Sequence, residues 1–412
     1  MNTNTASQNL SKDIVSEKDL NQKWVQKKRK HLRFLMTLFI GVGLAGAITW
    51  AVSPRYGKEI ACMADSRYAS FSPDGKYVVS GGGSWRKYIL SVRDASTGVE
   101  IVRIHVKNID YLTTVAYSPD GRFVASGTSD DVILVWDAMT GNKVAQMTEE
   151  YFYVDSIVFS PNSKYLAAIG TGNEVYVFEV ASGKEIARME HSINMLSIAF
   201  SPDSKYVVSG GDDTARVWDV FTGNEIARVE PGGFAYAVAF SPDGKYVASS
   251  HRKTVSVWEA ATGKEITRMT FDKFVNAVAF SPDGNYIVVG GNTIQVLEAH
   301  TGKKVAQMVD ALETSVAFSP NGKYIVSGGC DRTKINESFD AICASGSARV
   351  WEAFTGKEIA RMTYPGKVTD ASFSADGKYV LSVGGGIASV WEWNLEVPNI
   401  FPWPSACSRS KP

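Results

Sequence analysis

The chain has 412 residues, of which 44% are hydrophobic and 21% are charged, an ordinary composition for a globular protein. Its 36 glycines, its four cysteines and its many aromatic and β-branched residues favour β structure with tight turns. The formal net charge is zero, but residues 1–33 carry eight Lys/Arg and three Asp/Glu, so the remainder is mildly acidic. Because nucleic-acid binding depends on neutralising phosphates, an acidic body argues against a nucleic-acid partner.

The first segment after the basic tail has the properties of a membrane span. No residue from Phe34 to Val52 is charged, and as a helix this stretch would cover roughly 28 Å, close to the apolar thickness of a bilayer. Lysines and arginines cluster just before it, whereas Arg55 and Lys58 are the basic residues just after it. The excess of positive charge before the span predicts a cytoplasmic tail (1–33), one transmembrane helix (34–53) and an extracytoplasmic remainder.

A cleaved signal peptide is the alternative interpretation of this segment. The leader of about 33 residues before the apolar stretch is long for a signal peptide, which favours an anchor. Gly41, Gly43 and Gly46 spell GxGxxG inside the same stretch. A dinucleotide site needs a strand before that pattern and a helix after it, so this match does not indicate one.

From residue 56 onward the sequence repeats itself. The phrase FSPDGKYVVSGG begins at Phe71 and recurs, with variation, at Tyr117, Phe159, Phe200, Phe240, Phe280, Phe318 and Phe373. A second phrase of the form VWDxxTGKEIARM accompanies the first, with Arg93 and Leu297 as exceptions at its aromatic position. The period is about 40 residues, apart from one gap of about 55 before Phe373, and it is typical of units of four short strands.

The ends of the repeat region complement each other. Residues 56–63 (YGKEIACM) reproduce the outer-strand phrase before any first strand has appeared, while residues 368–393 supply three strands and no fourth. The N-terminal strand is therefore predicted to complete the last blade. With that strand included, eight units each have four strands, and the aromatic residues of the first and third strands are predicted to pack between neighbouring units.

These phrases resemble the WD-repeat family, and the resemblance covers residues 56–394. It implies an all-β fold of the WD-repeat β-propeller type. Together with the eight units, the closing strand and the apolar stretch, the prediction is an eight-bladed WD-repeat-type β-propeller whose N-terminal strand closes the last blade and which follows one transmembrane helix. Members of the family usually carry a buried His–Ser/Thr–Asp–Trp hydrogen-bond set in each blade. His191, Ser209, Asp213 and Trp218 match that set here, and most other blades lack the histidine.

The sequence contains no catalytic constellation. The histidines are scattered without metal-ligand spacing, and the carboxylate pairs Asp130-Asp131 and Asp212-Asp213 fall at strand corners, where a structural role is expected. Quinoprotein dehydrogenases have a similar TGK phrase that ends in a tryptophan, whereas the phrase here ends in methionine or valine. The chain is therefore predicted to be no enzyme and to hold no cofactor or metal.

The four cysteines suit an exported domain. Cys330 and Cys343 flank the insertion that causes the long gap, between the second and third strands of one blade, and they are predicted to form a disulfide. Cys62 in the closing strand is a candidate partner for Cys407 in the Pro-rich C-terminal tail (395–412). The alternative for that pair is a buried free Cys62 and an exposed Cys407.

One face of the predicted ring varies from repeat to repeat and is rich in aromatic residues. It carries the connections from outer strand to next inner strand and from second to third strand. The predicted partner-binding residues on it are Trp85, Tyr88, Tyr111, Tyr151, Tyr153, Phe234, Phe274 and Tyr364. The function predicted is a membrane-anchored scaffold that presents this face to a protein or peptide partner. The alternative is a propeller enzyme or small-ligand receptor that uses the central channel.

Overall fold

Eight β-sheets make up the described part of the chain in the computed structural model. The described residues are 55–84, 87–107, 109–149, 153–172, 174–191, 195–211, 214–230, 232–309, 312–335 and 341–394. The predicted basic tail, membrane helix and C-terminal tail lie outside these ranges. Among the described residues there is no helix with the length and apolar character needed to cross a membrane.

The strands follow one another along the chain in groups of four, and each group forms one antiparallel blade. Two strands precede the first group: β1 (Arg55–Tyr56) and β2 (Lys58–Ala64). Blade 1 contains β3 (Ser66–Phe71), β4 (Tyr77–Ser84), β5 (Lys87–Asp94) and β6 (Glu100–Val106). Blade 2 contains β7 (Leu112–Tyr117), β8 (Phe123–Thr128), β9 (Val132–Asp137) and β10 (Lys143–Thr148). Blade 3 contains β11 (Val154–Phe159), β12 (Tyr165–Gly170), β13 (Glu174–Glu179) and β14 (Glu185–Glu190). Blade 4 contains β15 (Ser197–Phe200), β16 (Tyr206–Gly210), β17 (Ala215–Asp219) and β18 (Glu225–Val229).

The second half of the ring has the same order. Blade 5 contains β19 (Ala235–Phe240), β20 (Tyr246–His251), β21 (Thr254–Glu259) and β22 (Glu265–Thr270). Blade 6 contains β23 (Val275–Phe280), β24 (Tyr286–Gly291), β25 (Thr293–Glu298) and β26 (Lys304–Val309). Blade 7 contains β27 (Leu312–Phe318), β28 (Tyr324–Ile335), β29 (Ala341–Glu352) and β30 (Glu358–Tyr364). Blade 8 contains β31 (Val368–Phe373), β32 (Tyr379–Gly384) and β33 (Ile387–Glu392).

The N-terminal strand closes the ring, as the sequence predicts. β2 is the fourth strand of blade 8 and pairs antiparallel with β33, with Ala61 opposite Val390 and Met63 opposite Ala388. The Ser389 hydroxyl adds a hydrogen bond of 2.7 Å to Glu59 Oε1. Residues 55 and 56 do not belong to this strand, because β1 pairs parallel with β30 of blade 7. The first strands of the chain therefore cover the outer edges of two blades.

Apolar side chains fill the spaces between neighbouring blades. One buried cluster joins Val208 and Val217 of blade 4 to the fully buried Trp258 of blade 5, with Tyr206 and Phe240 packed against it. A cluster of the same kind joins blade 8 to blade 1 and includes Met63 of the closing strand. Successive side chains of a strand point to opposite faces of its sheet, and here both faces carry apolar side chains. Each blade therefore needs a neighbour on both sides to bury its surface.

Internal hydrogen bonds stabilise the turn between the first and second strands of a blade. In blade 5 the Ser241 hydroxyl donates to Asp243 Oδ1 (2.6 Å) and accepts from the backbone N–H of Tyr246 (2.9 Å). The last turn residue, Gly244, has φ of 71°, a conformation that glycine adopts without strain. This explains why SPDG recurs almost unchanged.

Blades 3 and 4 have serine where the other turns have glycine. Ser163 and Ser204 adopt φ of 60° and 63°. Their hydroxyls accept backbone N–H groups from the turn of the preceding blade, Asp120 to Ser163 (2.9 Å) and Asn162 to Ser204 (3.1 Å). These bonds link three successive blades at one rim.

The described part of the insertion in blade 7 is a continuation of two strands. β28 and β29 each have twelve residues, and their pairing continues outward to Ile335 opposite Ala341. The predicted disulfide between Cys330 and Cys343 is present and crosslinks this hairpin. None of the cysteines in the described ranges is a free thiol, and Cys407, the predicted partner of Cys62, lies outside them.

Candidate partner-binding face

The variable connections of the sequence lie together at one end of the strands. Strand direction alternates within each blade. One side of the molecule, called here the loop face, therefore carries the start of each first strand, the end of each fourth strand and the link between the second and third strands. Among the described residues it consists of 65, 107, 109–111, 129–131, 149, 153, 171–172, 191, 195–196, 211, 214, 230, 232–234, 252–253, 271–274, 292, 365–367 and 385–386. Backbone hydrogen bonds tie neighbouring connections together, for example from Ser129 to the Tyr111 carbonyl (3.0 Å) and from Thr171 to the Tyr153 carbonyl (2.9 Å).

Three predicted binding residues present their rings on the loop face. Tyr111 and Phe274 are each 50% exposed and Tyr153 is 39% exposed. Phe234 is half-buried and lies 6.1 Å from Tyr236, centroid to centroid. Partial exposure of large rings held on a rigid frame is typical of residues that contribute strongly to binding.

Two predicted binding residues are buried. Tyr88 is 5% exposed and supports the exposed ring of Tyr111 edge-on, with centroids 6.3 Å apart. Tyr364 is also 5% exposed, and its hydroxyl hydrogen-bonds to Ser382 inside blade 8. Burial raises the pKa of both phenols. The structure thus gives these two residues packing roles, and their rings are not available at the surface.

Trp85 and Tyr151 lie outside the described residues, so their predicted roles stay predictions. Backbone geometry marks other positions on the same face. Asp65, Asp131 and Arg252 have φ of 54°, 64° and 44°, a region that residues other than glycine rarely adopt. The Arg252 carbonyl is held by the N–H of Val275 (2.7 Å), so this conformation is fixed by the neighbouring connection.

A groove accompanies Phe274. It has a volume of about 260 Å³, and Phe271 and Phe274 line one side while Gln295, Lys304 and Gln307 of blade 6 line the other. The Lys304 ammonium donates to the Gln307 side-chain oxygen (2.9 Å), which orients both polar groups. An aromatic edge facing amides and an ammonium suits an extended peptide with both apolar and polar side chains.

Polar residues that sequence reasoning missed surround the mouth of the central channel. First strands of four blades contribute Arg67, Thr113, Asp155 and Asp370 to a cavity of about 260 Å³. Solvent reaches both carboxylates, but protein atoms crowd them, and this desolvation raises their pKa values. The buried Thr113 hydroxyl has no hydrogen-bond partner within the described structure. These residues occupy the second or third position of their first strands. The residue type at these positions differs between repeats, and this variation was the signal in the sequence that could have pointed to them.

Charged residues on the outer edge of blade 3 are fully engaged with one another. The Arg188 guanidinium contacts Glu149 and Glu185, each at 2.8 Å, and stacks 4.6 Å from the ring centre of Tyr176. Hydrogen bonding from Arg188 lowers the pKa of Glu185. The interactions of Glu149, which follows the last strand of blade 2, are therefore structural.

The opposite end of the strands, called the turn face, exposes apolar groups as well. It consists of the turns between first and second strands (72–76, 118–122, 160–164, 201–205, 241–245, 281–285, 319–323, 374–378) and between third and fourth strands (95–99, 138–142, 180–184, 220–224, 260–264, 299–303, 353–357). Phe221 and Phe354 are 53% and 44% exposed there. The third-to-fourth turns all contain Thr-Gly or Ser-Gly, but the residue two places before that glycine differs strongly in size. It is Ser96, Met139, Ala181, Phe221, Ala261, His300 or Phe354.

The predicted blade hydrogen-bond set is partly visible. The Trp218 indole donates to Ser209 Oγ (2.8 Å), and the buried His191 ring lies 6.2 Å from the indole, centroid to centroid. Asp213 lies outside the described residues. Within the described ranges, no group of three His, Cys, Asp or Glu side chains is placed to hold a metal ion.

Two family models match parts of the chain. The model described as WD domain, G-beta repeat matches residues 101–137, 183–219 and 357–392. Each of these matches begins with the outer strand of one blade and ends with the third strand of the next, so a repeat links two blades. A model described as eukaryotic translation initiation factor eIF2A matches residues 225–348.

Known proteins resemble the chain over limited lengths or at low identity. Pre-mRNA-processing factor 19 homolog 2 of Arabidopsis thaliana is 35% identical over 85 residues, which are 20% of this chain and 15% of that protein. The C-terminal WD40 domain of Sif2 superposes with a TM-score of 0.69 at 12% identity, covering 84% of this chain and all of that domain. The computationally designed Ika8 protein superposes with a TM-score of 0.68 at 23% identity, covering 82% of this chain and all of the design. The structural likenesses concern the fold alone, and together with the repeat matches they identify an eight-bladed β-propeller built from WD40 repeats.

Proposed function

We propose that this propeller is a membrane-anchored scaffold whose loop face binds a protein or peptide partner. The observation that carries the proposal is the set of exposed rings, Tyr111, Tyr153 and Phe274, on connections that differ between repeats. Around them the frame is rigid and repetitive, so the variation is concentrated where a partner would contact the protein. WD40 propellers in general bind protein partners and are not enzymes, which agrees with a binding role.

The test of this face replaces its rings together. A variant with Tyr111→Ala, Tyr153→Ala and Phe274→Ala is expected to lose the partner that crosslinks to the native chain in cells. Truncating one central interface aromatic commonly weakens binding by about 2 kcal/mol, so three should lower affinity by more than about a hundredfold. The matched control carries Ile101→Ala, Val144→Ala and Val305→Ala, exposed positions on the outer strands. Retained crosslinks in the ring variant, or equal loss in the control, would overturn the choice of face.

The anchoring part of the proposal rests on the uncharged stretch 34–52 and on the disulfide in blade 7. Disulfides persist in oxidising compartments and are rare in the cytosol, which fits an extracytoplasmic propeller. Fusing alkaline phosphatase, which needs export for activity, after residue 412 should give an active enzyme. Removing residues 34–53 should abolish that activity, and an epitope at residue 2 should stay on the mature membrane-bound chain. Loss of that epitope would instead indicate cleavage.

The channel mouth supports a second candidate function, a small-ligand receptor. Asp155, Asp370 and Arg67 place charges of both signs around one cavity, and the partnerless Thr113 hydroxyl adds a hydrogen-bonding group. Native mass spectrometry of the chain purified from its host would reveal a bound small molecule. Its loss in an Asp155→Asn, Asp370→Asn variant would favour this function over the scaffold.

A further inference from the structure

A pocket of about 380 Å³ opens between blades 4 and 5 on the turn face, on the opposite side from the loop face. Tyr206 and Ile226 of blade 4 line one wall, and blade 5 supplies the other; the blade 5 lining is Gly244, Lys245, Tyr246, Glu259, Ala260 and Ala261. Its volume lies in the range of sites that hold small organic groups. Ile226 is exposed, so the pocket is reached directly from the outside.

At two other seams of the same ring, an aromatic side chain fills this place. The tyrosine that begins the second strand of one blade contacts a ring from the third-to-fourth turn of the next blade. Tyr165 meets Phe221 with centroids 5.5 Å apart and planes at 86°. Tyr286 meets Phe354 at 5.0 Å and 68°. Such edge-to-face pairs are the preferred arrangement of aromatic side chains.

Blade 5 has no ring at the corresponding position. Its turn reads EAATG (259–263), against DVFTG (219–223) in blade 4 and EAFTG (352–356) in blade 7. Ala261 therefore stands where Phe221 and Phe354 stand in their turns. Tyr206, the counterpart of Tyr165 and Tyr286, lines the pocket together with Ala261, at the place where those two tyrosines contact a ring.

The charges at the rim are already paired with neighbours. The Lys245 ammonium lies 3.7 Å from Asp243, and the Glu259 carboxylate lies 4.0 Å from Lys264 and accepts from the Thr262 hydroxyl at 2.8 Å. A ligand is thus not selected by its net charge. The apolar walls and the exposed edge of Tyr206 select a flat aromatic group instead.

We infer that this pocket binds an aromatic side chain of a partner protein, seated against Tyr206 as Phe221 is seated against Tyr165. The partner supplies from outside a ring that the turn of blade 5 lacks at this seam. This contact is independent of the loop face, so a partner can engage both ends of the strands or two partners can bind at once.

The first test uses short blocked peptides and the purified full-length chain. Acetyl-Gly-Phe-Gly-amide, its leucine counterpart and its alanine counterpart are titrated by saturation-transfer NMR. The phenylalanine peptide is expected to bind. The leucine peptide should bind at least about fivefold more weakly, because leucine cannot form the edge-to-face pair with Tyr206. The alanine peptide should show no transfer. Equal binding of all three peptides would overturn the proposal.

Two substitutions in the ring provide the matched pair. Ala261→Phe installs the side chain that blades 4 and 7 already carry, and it should lower peptide affinity by at least tenfold. Phe221→Ala removes the ring from the adjacent seam and should create a further site, raising the stoichiometry by one. Ala261→Met, which installs the side chain that blade 2 carries at Met139, serves if the phenylalanine variant does not fold. Unchanged affinity in the variants that fill the pocket would refute the inference.

The remaining outcomes identify other occupants. If Ala261→Phe converts a dimer of the native chain into a monomer, the ring comes from a second copy and not from a partner. If the native chain binds no peptide until residues 395–412 are removed, the chain fills the pocket itself. Either result overturns the inference. The Tyr111→Ala, Phe274→Ala variant should bind the peptides normally, so failure of the loop-face proposal is seen separately.

Discussion

Different side chains complete the tryptophan hydrogen bond in different blades. In blade 5 the Trp258 indole donates to Ser249 Oγ (3.1 Å), and His251 Nε2 lies 2.9 Å from the same oxygen. In blade 8 the Trp391 indole donates to Ser382 Oγ (2.9 Å), and the Tyr364 hydroxyl takes the position of the histidine. Tyr364, the last residue of β30, and His251, the last residue of β20, therefore reach the serine of the pair from different strands, so side chains at different positions of the repeat can complete this hydrogen bond.

Removing that hydroxyl should weaken the fold and leave binding intact. Tyr364→Phe keeps the buried ring but deletes one hydrogen bond, so we expect a loss of about 1 kcal/mol in the free energy of unfolding. Tyr364→Ala also leaves a cavity and should cost about 3–5 kcal/mol. Urea unfolding measures both values. Tyr111→Phe, at an exposed ring, is the control and should change stability by less than about 0.5 kcal/mol. A partner-binding defect without a stability defect in Tyr364→Phe would contradict the packing role.

Carboxylates at the start of the third-to-fourth turns make these turns sensitive to acid. Asp137 accepts the backbone N–H of Thr140 at 2.8 Å and its hydroxyl at 2.8 Å. These hydrogen bonds lower the pKa of Asp137, and comparable bonds from Ser96 and Thr97 lower that of Asp94. A lowered carboxyl pKa stabilises the fold above the unfolded-state value, near 3.9, and the contribution disappears as the pH falls through the folded-state value.

Asp137→Asn should reduce this acid sensitivity. The amide keeps one acceptor oxygen but has no charge to lose, so its stability is expected to change less between pH 6 and pH 3 than that of the native chain. The difference in urea midpoint between these two pH values is the measurement.

Asp155→Asn is a useful contrast. Because desolvation raises the pKa of Asp155, its charged form destabilises the fold as the pH rises through that value, and this variant should gain stability near neutral pH. Identical pH profiles for all three proteins would contradict the assignment.

At the scale of a single element, the blade 7 hairpin extends beyond the other blades and depends on its crosslink. Cys330 and Cys343 are 13 residues apart, and closing a loop of that size contributes about 3 kcal/mol in the chain-entropy account. Cys330→Ser, Cys343→Ser should therefore increase hydrogen exchange in residues 330–346, while exchange in the blade 2 strands stays unchanged. Protected amides in the hairpin of that variant would show that strand pairing alone maintains it.

For the molecule as a whole, most of the fold could be predicted from the repeated phrases of the sequence. The two phrases determined the number of blades, and the outer-strand phrase at residues 56–63 placed β2 beside β33. Burial was harder to predict, because Tyr364 ends β30 next to a variable connection, and an aromatic residue there is easily taken for a surface residue. The gap opposite Tyr206 was also missed, since Ala261 looks ordinary until Phe221 and Phe354 are seen filling the equivalent seams. Properties of a single position depend on its neighbours across a seam, and in the case of Tyr206 and Ala261 the two neighbours are 55 residues apart in the sequence.

Closure of the ring by β2 gives the most far-reaching prediction. Met63 is buried in the cluster that joins blade 8 to blade 1, so Met63→Asp places a carboxylate among apolar groups and should cost at least about 3 kcal/mol. Lys58→Asp, at an exposed position of the same strand, should change stability by less than about 0.5 kcal/mol. Deleting residues 56–63 exposes the edge of β33 as well, and an unpaired edge recruits other chains. We expect that deletion to give a broad urea transition and aggregates detectable by light scattering. A deleted chain that stayed monomeric and unfolded at the native midpoint with the native slope would show that the ring does not depend on this strand.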